Sequence, residues 1–503
     1  MAGVTPMMQQ YLEVKEKHKD CIVFFRLGDF YEMFFDDAKL VSQELELTLT
    51  GKDCGLPERA PMCGIPFHAA DVYVEKLIAN GHKVAICEQM EDPALAKGLV
   101  KRDVIRIVTA GTVIDQNVLD ERSNNFLLSV CFASDKAGLA FADVSTGEFY
   151  VFEVEHAEKQ LADEILRIAP VEIVCNDLVK LRACIHGEDY VTSEQSAASF
   201  QYQNASEILC AHFKLQDLSP LGLTEENRLG ASAAGALMRY LSDTQKNALE
   251  HITGLRIWRA QGTMLLDRNT RRNLELTESL RSRTKKGSLL WLLDKTSTAM
   301  GGRMLRTWIE QPLTDKAAIE RRLDAVGEFA DQHVLSMTLS EELTGVYDME
   351  RLLSKVAYKS LNARDCLALC ASMKRVPSIR SLIAGCTSDG IRELHGQLDP
   401  LEDMAALLDR AINPDAPITI TDGDIIRDGY SPMLDEYRHA STDGKQWILD
   451  LEAREREATG IKNLRIQYNR VFGYYIEVTK SYYELVPVRY QRKQTLANCE
   501  RYI

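Results

Sequence analysis

Residues 21–35 read CIVFFRLGDFYEMFF, an apolar run rich in residues that favour β-strands. On a strand, Phe30 and Glu32 lie on the same face because side chains alternate with a period of two. A carboxylate beside an aromatic ring is unusual in a core, where it would need a partner, and is typical of a surface that contacts a ligand. The alternative is an aromatic residue packed at the end of a core strand, with the glutamate on the surface. Both interpretations predict a strand in a mixed α/β domain.

The first half of the chain has the pattern of two α/β domains. Residues 1–112 combine a helical opening, the strand-forming run and a second helix followed by a strand. Within them, the Gly- and Pro-rich stretch at 51–66 predicts a loop. Residues 119–245 contain three strand-like runs separated by turn residues, then an amphipathic helix and a buried strand. Consecutive hairpins followed by a helix and a further strand predict a ribonuclease-H-like sheet.

The second half of the chain has a mainly helical pattern and ends in a segment with a predicted hairpin. Residues 250–421 carry apolar side chains at three- and four-residue spacing, which predicts an all-α domain of packed helices. Residues 422–503 begin with turn signals, and a long helix is predicted from Pro432 to about Thr459. Alternating residues on either side of the turn at 469–473 predict a β-hairpin. The expected fold class is therefore multidomain, mixed α/β plus all-α.

The composition is that of an ordinary globular protein. Hydrophobic residues make up 45% and charged residues 27%, and no segment approaches the roughly eighteen consecutive apolar residues of a membrane-spanning helix. The N-terminus lacks the apolar core of a secretory signal. The twelve cysteines have no paired spacing, which predicts free thiols in a reducing compartment and no metal site.

The charge is unevenly distributed along the chain. The net charge of −14 argues against a nucleic-acid partner. From residue 461 onward, however, eight basic residues stand against three acidic ones, so this segment carries +5 and the remainder −19. A locally basic end on an acidic body is typical of a protein that touches phosphate with one segment only.

Long motifs spread along the chain resemble those of one protein family. Five segments resemble, in order, parts of the mismatch-recognition domain of the bacterial MutS family: TPMMQQYLEVK, FFRLGDFYEMFFDDAK, PMCGIPFHA, VAICEQMEDP and RIVTAGT. Four further segments resemble parts of the core and clamp of the same family: LDRNTRRNLELTESL, GSLLWLLDKTSTAMGGRMLRTWIEQPL, NRVFGYYIEVTK and RKQTLANCERY. The resemblance covers essentially the whole chain. It implies a mismatch-recognition domain at 1–112, a connector at 119–245, a helical core and lever domain at 250–421 and a DNA clamp at 422–503.

The resemblance also implies a function and roles for single residues. The function is recognition and binding of mismatched or unpaired bases in double-stranded DNA, the first step of DNA mismatch repair. Phe30 is then the ring that wedges between bases, which costs least where base pairing is already faulty. Glu32 is the residue that hydrogen-bonds the mispaired base, and Met62, in a loop from Pro61 to Pro66, is expected along the minor groove.

The family's clamp holds the DNA backbone without reading bases, a task that suits Arg, Lys and Asn side chains. The candidates, chosen by charge and position, are Lys462, Arg465, Asn469, Arg470, Arg492, Lys493 and Asn498.

Two enzymatic activities compete with a binding function. Complete members of the family hydrolyse ATP through a P-loop, but the pattern G-x-x-x-x-G-K-[ST] does not occur in this chain. We therefore expect the chain to stop before the ATPase domain and to be no ATPase itself. The alternative function is a metal-dependent, ribonuclease-H-like nuclease that uses Asp143, with Glu172 or Asp177 as partner. Only Asp143 is well placed for this, and before Ser145 it is equally a turn-forming residue.

The resemblance also implies which partners the protein has. They are mismatched double-stranded DNA, a second copy of the protein when it is full length, and a downstream effector of the MutL type, with no membrane involved. No cofactor or metal is expected in this chain, since ATP and Mg²⁺ belong to the missing C-terminal domain. The expected location is the bacterial cytoplasm, in association with the nucleoid.

Overall fold

The computed structural model describes residues 4–55, 57–91, 98–115, 118–185, 190–246, 249–258, 262–469 and 473–503, with the backbone alone at 440, 442, 443 and 445. The chain forms two compact units, Met1–Ala406 and Leu407–Ile503. In the described part of the chain, no helix combines the length and the apolar character needed to cross a membrane.

The N-terminal region is an α/β domain. Its elements are α1 (Pro6–Lys17), β1 (Cys21–Leu27), β2 (Phe30–Phe34), α2 (Phe35–Glu44), β3 (Thr50–Lys52), β4 (Ala60–Pro66), α3 (Ala70–Ala79), β5 (Lys83–Gln89) and β6 (Arg102–Val108). The strands form a sheet in the order β3-β4-β2-β1-β5-β6, in which β1 and β5 pair in parallel and the other neighbours pair antiparallel. Apolar clusters cover both faces: one includes Tyr31 and Met33, and the other Phe25 and Phe34. The strand predicted in residues 21–35 is confirmed as the hairpin β1–β2.

The loop predicted at 51–66 is wrong for its two ends, which form β3 and β4. Met62 consequently lies on a strand, paired with Phe34 and Thr50, and not in a loop. Gly and Pro dominate the composition, but the buried Cys63 and Ile65 alternate along β4 as a half-buried strand requires. The prolines of this strand are its second and last residues, where strand pairing tolerates them best.

The next region is a second α/β domain. Its elements are β7 (Leu127–Ala133), β8 (Lys136–Asp143), β9 (Glu148–Val154), α4 (Ala157–Ile168), β10 (Glu172–Cys175), α5 (Leu178–Ile185), β11 (Val191–Glu194), α6 (Tyr202–Phe213), α7 (Arg228–Gln245) and β12 (Arg256–Ile257). The sheet order is β11-β10-β7-β8-β9-β12, with β7, β8 and β9 antiparallel and β10 and β11 parallel to β7. The predicted sequence of three strands, a helix and a strand is confirmed.

Residues 268–411 are helical, as their periodicity predicts. The helices are α8 (Arg268–Asn273), α9 (Leu289–Leu293), α10 (Ala299–Glu310), α11 (Lys316–Asp331), α12 (His333–Thr344), α13 (Met349–Ala357), α14 (Ala363–Ile383), α15 (Asp389–Gln397) and α16 (Glu402–Ala411). Side-chain caps fix where several of them begin. At α14, for example, Asn362 and Asp365 form a reciprocal capping box that satisfies two backbone donors.

The C-terminal unit pairs a long helix with a small sheet. Its later elements are α17 (Pro432–Thr459), β13 (Arg465–Asn469), β14 (Gly473–Thr479), β15 (Arg492–Thr495) and β16 (Cys499–Tyr502). The helix ends at Gly460, whose φ of 71° is a left-handed conformation that glycine adopts readily. The sheet order is β13-β14-β16-β15, all antiparallel. The predicted helix and hairpin are both confirmed, and so is the general mixture of α/β and helical regions.

A close approach between β8 and α7 in the second domain allows a prediction about stability. A Cβ at Gly138 on β8 would lie 2.1 Å from backbone atoms of Leu229, in the first turn of α7. Backbone cannot rotate away as a side chain can, so Gly138→Ala should lower the free energy of unfolding by about 3 kcal/mol. Gly254→Ala, where a Cβ meets nothing within 4 Å, is the matched control and should change it by less than about 0.5 kcal/mol. Urea unfolding followed by tryptophan fluorescence measures both, and equal midpoints would contradict the packing argument.

Candidate nucleic-acid interface

Strand β2 divides its side chains between the core and the surface. Tyr31 and Met33 are buried in one apolar cluster, whereas Phe30 remains 47% exposed and Glu32 is partly buried. The strand begins directly after the β1–β2 turn, where Gly28 has a φ of 61° that favours glycine. Phe30 and Glu32 therefore share the face that the sequence predicts, with the ring at the hairpin end of the strand.

Strand β4 completes this surface. Phe30 pairs with Pro66, Glu32 with Gly64 and Phe34 with Met62. A Cβ at Gly64 would lie 3.6 Å from Cγ of Glu32 and 3.8 Å from Cδ1 of Phe30. The glycine therefore leaves open the space beside both side chains. Met62 is partly buried against the cluster that contains Phe34, four residue pairs along the strands from the Phe30–Pro66 pair.

A lysine from β3, on the far side of β4 from β2, contacts the glutamate. Lys52, the last residue of β3, donates to Oε2 of Glu32 over 2.5 Å. The two residues are separated by 20 positions in sequence, and only the order β3-β4-β2 brings them together. No local sequence spacing indicates such a contact, so Lys52 could not be selected as a site residue from sequence. We call the surface formed by Phe30, Glu32, Lys52, Met62 and Gly64 the Phe30 face.

The opposite side of β2 is held by a buried polar network. The hydroxyl of Tyr31 donates to Glu88 on β5, and the same carboxylate pairs with Arg26 over 3.2 Å. Burial and the hydrogen bond to Glu88 raise the pKa of Tyr31, so it remains a neutral donor. The Arg26 guanidinium also stacks 3.7 Å from the ring centre of Phe67. Since Phe67 donates its backbone N–H to Asp29, this network fixes the turn that precedes Phe30.

The predicted clamp residues lie in or beside the C-terminal sheet. Lys462 is in the connection from α17, Arg465 and Asn469 begin and end β13, Arg492 and Lys493 are on β15, and Asn498 lies in the turn before β16. Arg470 is outside the described residues. The structure thus gathers the described candidates around one antiparallel sheet, in a different compact unit from the Phe30 face.

The charges of the basic clamp candidates are only partly neutralised by ion pairs. Arg492 pairs with Glu500 over 3.2 Å, whereas Lys462, Arg465 and Lys493 form no ion pair within the described part of this unit. Lys493 lies at a register shift between Arg492 and Gln494, so it is left out of the pairing with β16. Exposed, unpaired cations on a sheet can contact phosphate oxygens.

The carboxylates considered for a nuclease have structural partners. Asp143 is fully buried and accepts from the backbone N–H and hydroxyl of Ser145, from the backbone N–H of Asn125 and from the Asn124 amide. Glu172 accepts from the hydroxyls of Thr109 and Tyr240, the latter over 2.6 Å. Asp177 accepts from a backbone N–H in the first turn of α5. Among the described residues, no group of three or more His, Cys, Asp or Glu could hold a metal ion, so the nuclease alternative gains no support.

Comparison with known proteins identifies the family. The family models described as MutS domain I, domain II and domain III match residues 5–117, 125–253 and 269–496. Over its whole length the chain is 53% identical to the DNA mismatch repair protein MutS of Ruminiclostridium cellulolyticum, 51% identical to that of Acetivibrio thermocellus and 50% identical to that of Lachnoclostridium phytofermentans. It spans 58%, 58% and 54% of the lengths of these relatives, respectively. The chain therefore carries MutS domains I, II and III in order and belongs to the MutS family.

Proposed function

We propose that this chain recognises and binds mismatched or unpaired bases in double-stranded DNA, the first step of DNA mismatch repair. The observation that carries the proposal is the exposed ring of Phe30 at the end of a strand whose next residue is buried, with the Glu32 carboxylate on the same face. An apolar ring held on a rigid strand loses little conformational freedom when it binds, which favours its use as a probe.

The chemistry of this surface suits faulty base pairs. A Phe inserted between bases from the minor groove must unstack them, at a cost of roughly a few kcal/mol per step. The cost is lower where pairing is already lost, so insertion selects mismatches and unpaired bases without reading a sequence. We propose Phe30 as this wedge, Glu32 as the hydrogen-bonding partner of the displaced base and Met62 as a contact along the minor groove.

The remaining domains are proposed to support the recognition. The sheet of 119–245 places three antiparallel strands beside two parallel ones in the order 3-2-1-4-5, which supports a ribonuclease-H-like connector. The helices of 250–421 would act as core and lever, and residues 422–503 as a clamp on the DNA backbone. Its contacts would come from Lys462, Arg465, Asn469, Arg470, Arg492, Lys493 and Asn498.

Switching by ATP is proposed only for the whole protein. The chain contains no G-x-x-x-x-G-K-[ST] pattern, so its residues do not fit an ATP·Mg²⁺ site of the P-loop type. The proposed partners of the whole protein are a second copy of itself and an effector of the MutL type, in the bacterial cytoplasm at the nucleoid.

The wedge can be tested by Phe30→Ala. We expect the variant to bind a duplex with a G·T mismatch no better than a fully paired one, with a loss of about 1–3 kcal/mol, the usual contribution of one base stacked on an aromatic ring. Weak, salt-dependent binding to any duplex should persist. The control is Val72→Ala, an exposed apolar residue on α3 in the same domain. Fluorescence anisotropy titrations with both duplexes give the ratio of affinities, and a Phe30→Ala variant that kept the wild-type ratio would refute the wedge.

The clamp can be tested by the double reversal Arg492→Glu with Lys493→Glu. Contacts to phosphate release counterions regardless of sequence, so we expect affinity for mismatched and paired duplexes to fall alike and its salt dependence to flatten. The double reversal Lys316→Glu with Arg392→Glu, on exposed positions of α11 and α15, matches the change in charge. A loss confined to mismatched DNA would instead place Arg492 and Lys493 where mismatches are read.

The absence of nuclease chemistry can be tested at Asp143. The Asp143 carboxylate accepts from the backbone N–H groups of Asn125 and Ser145. In Asp143→Asn, the amide NH₂ would face one of these donors and could not accept from it, which should lower the free energy of unfolding by about 1–3 kcal/mol. Asp177→Asn should be nearly neutral because Asn begins a helix as well as Asp does. We expect no cleavage of DNA or RNA by the wild-type protein with Mg²⁺ or Mn²⁺. Metal-dependent cleavage that vanished in Asp143→Asn would overturn the connector role proposed for residues 119–245.

A further inference from the structure

We propose that Lys52 is a positioning residue for mismatch recognition: it holds the Glu32 carboxylate in place and offsets its charge next to DNA. This inference rests on the proposed function, since it assigns a role to Lys52 at the same surface. Lys52 is not expected to read the base itself.

The contact between the two side chains is well defined. Nζ of Lys52 lies 2.5 Å from Oε2 of Glu32, and the side chains are 31% and 17% exposed, respectively. The lysine is anchored by the pairing of β3 with β4, in which Lys52 lies opposite Ala60. Its ammonium also lies 5.7 Å from the ring centre of Phe34. Both ends of the ion pair are therefore carried by neighbouring parts of one sheet.

The geometry leaves one oxygen of the glutamate for a ligand. Within the described residues, Lys52 contacts Oε2, and Oε1 accepts no hydrogen bond. Gly64 lies opposite Glu32 and adds no side chain that would cover it. A carboxylate fixed through one oxygen and open at the other can direct a single hydrogen bond toward a displaced base.

The charge of the pair also matters close to DNA. An unpaired carboxylate near phosphate groups is repelled, and the repulsion is weakly screened where the site excludes water. Lys52 offsets that charge in the free protein, before any DNA arrives. Glu32 lies on the same face as Phe30 and would come closest to the DNA when the Phe30 ring is inserted, so removing the lysine should weaken mismatch binding more than binding to paired DNA. The removal should have little effect once Glu32 itself is neutral.

The rival interpretation is that Lys52 simply contacts a phosphate. Such a contact would be lost equally from mismatched and paired duplexes, and the salt dependence of binding would fall by about one released counterion. The two roles thus predict different patterns across duplexes and different coupling with Glu32.

A double-mutant cycle separates these roles. The variants are Lys52→Met, Glu32→Gln and their combination in the intact protein, with affinities measured for a G·T duplex and a fully paired duplex at one salt concentration. We expect Lys52→Met to reduce the ratio of the two affinities about fivefold, the upper end for loss of a partly exposed ion pair. In the Glu32→Gln background the same change should alter the ratio by less than about twofold. Lys52→Arg, which keeps the charge, should retain the wild-type ratio.

Two controls make the result decisive. Lys39→Met removes an exposed lysine from α2 in the same domain, and it should leave the ratio unchanged. If Lys52→Met lowers the midpoint of thermal unfolding, the cycle is repeated with Lys52→Gln in its place. The glutamine amide carries no charge, so we expect the same reduction in the ratio of affinities.

The outcomes distinguish this inference from the function on which it rests. Equal losses on both duplexes, or the same loss in the Glu32→Gln background, would overturn the role of Lys52 alone. A wild-type protein without mismatch preference, or a preference that survives Phe30→Ala, would instead overturn the proposed function.

Discussion

The antiparallel pairing of β2 with β1 and β4 fixes which side chains of this strand face the core. Tyr31 and Met33 pack in one apolar cluster and Phe34 packs in the cluster on the other face, so a slip by one residue would exchange these side chains between two differently packed cores and separate Glu32 from Lys52. Phe30 is exposed because it begins the strand next to the β1–β2 turn, whereas Phe34, on the same face at the other end of the strand, is fully buried. The same pairing brings Gly64 opposite Glu32, so the open space beside the carboxylate also depends on it.

The structure supports this strand from its other side by polar contacts. Glu88 accepts from Tyr31 and pairs with Arg26, whose guanidinium in turn lies over Phe67. The proposed role of Phe30 requires its ring to unstack bases, and a strand held rigidly in the sheet favours that role. Anchoring the strand through a buried tyrosine and an ion pair is one way in which a small domain can apply an apolar ring firmly.

Local patterns predicted much of the fold, and long-range pairing accounts for the failures. The period-two alternation from Phe30 to Phe34 is a property of one strand, and the helix that ends at Gly460 is a property of one segment, so both could be predicted from sequence. Residues 51–66 have the composition of a loop, yet residues 60–66 form a strand because Cys63 and Ile65 pack against partners remote in sequence. The contact of Lys52 with Glu32 was missed for the same reason, since it exists only once β4 is placed between their strands.

The distribution of charge bears on how strongly the proposed recognition can discriminate mismatched from paired DNA. The last 43 residues carry +5 and the rest of the chain −19, so most of the surface repels a phosphate backbone. Within the Phe30 face the one acid, Glu32, is paired with Lys52, which keeps that surface from adding to the repulsion. Weak attraction to ordinary duplex leaves a larger share of the binding free energy to depend on what happens at Phe30. Discrimination between paired and mispaired DNA is a difference between two affinities, and a protein enlarges it as effectively by weakening the wrong complex as by strengthening the right one.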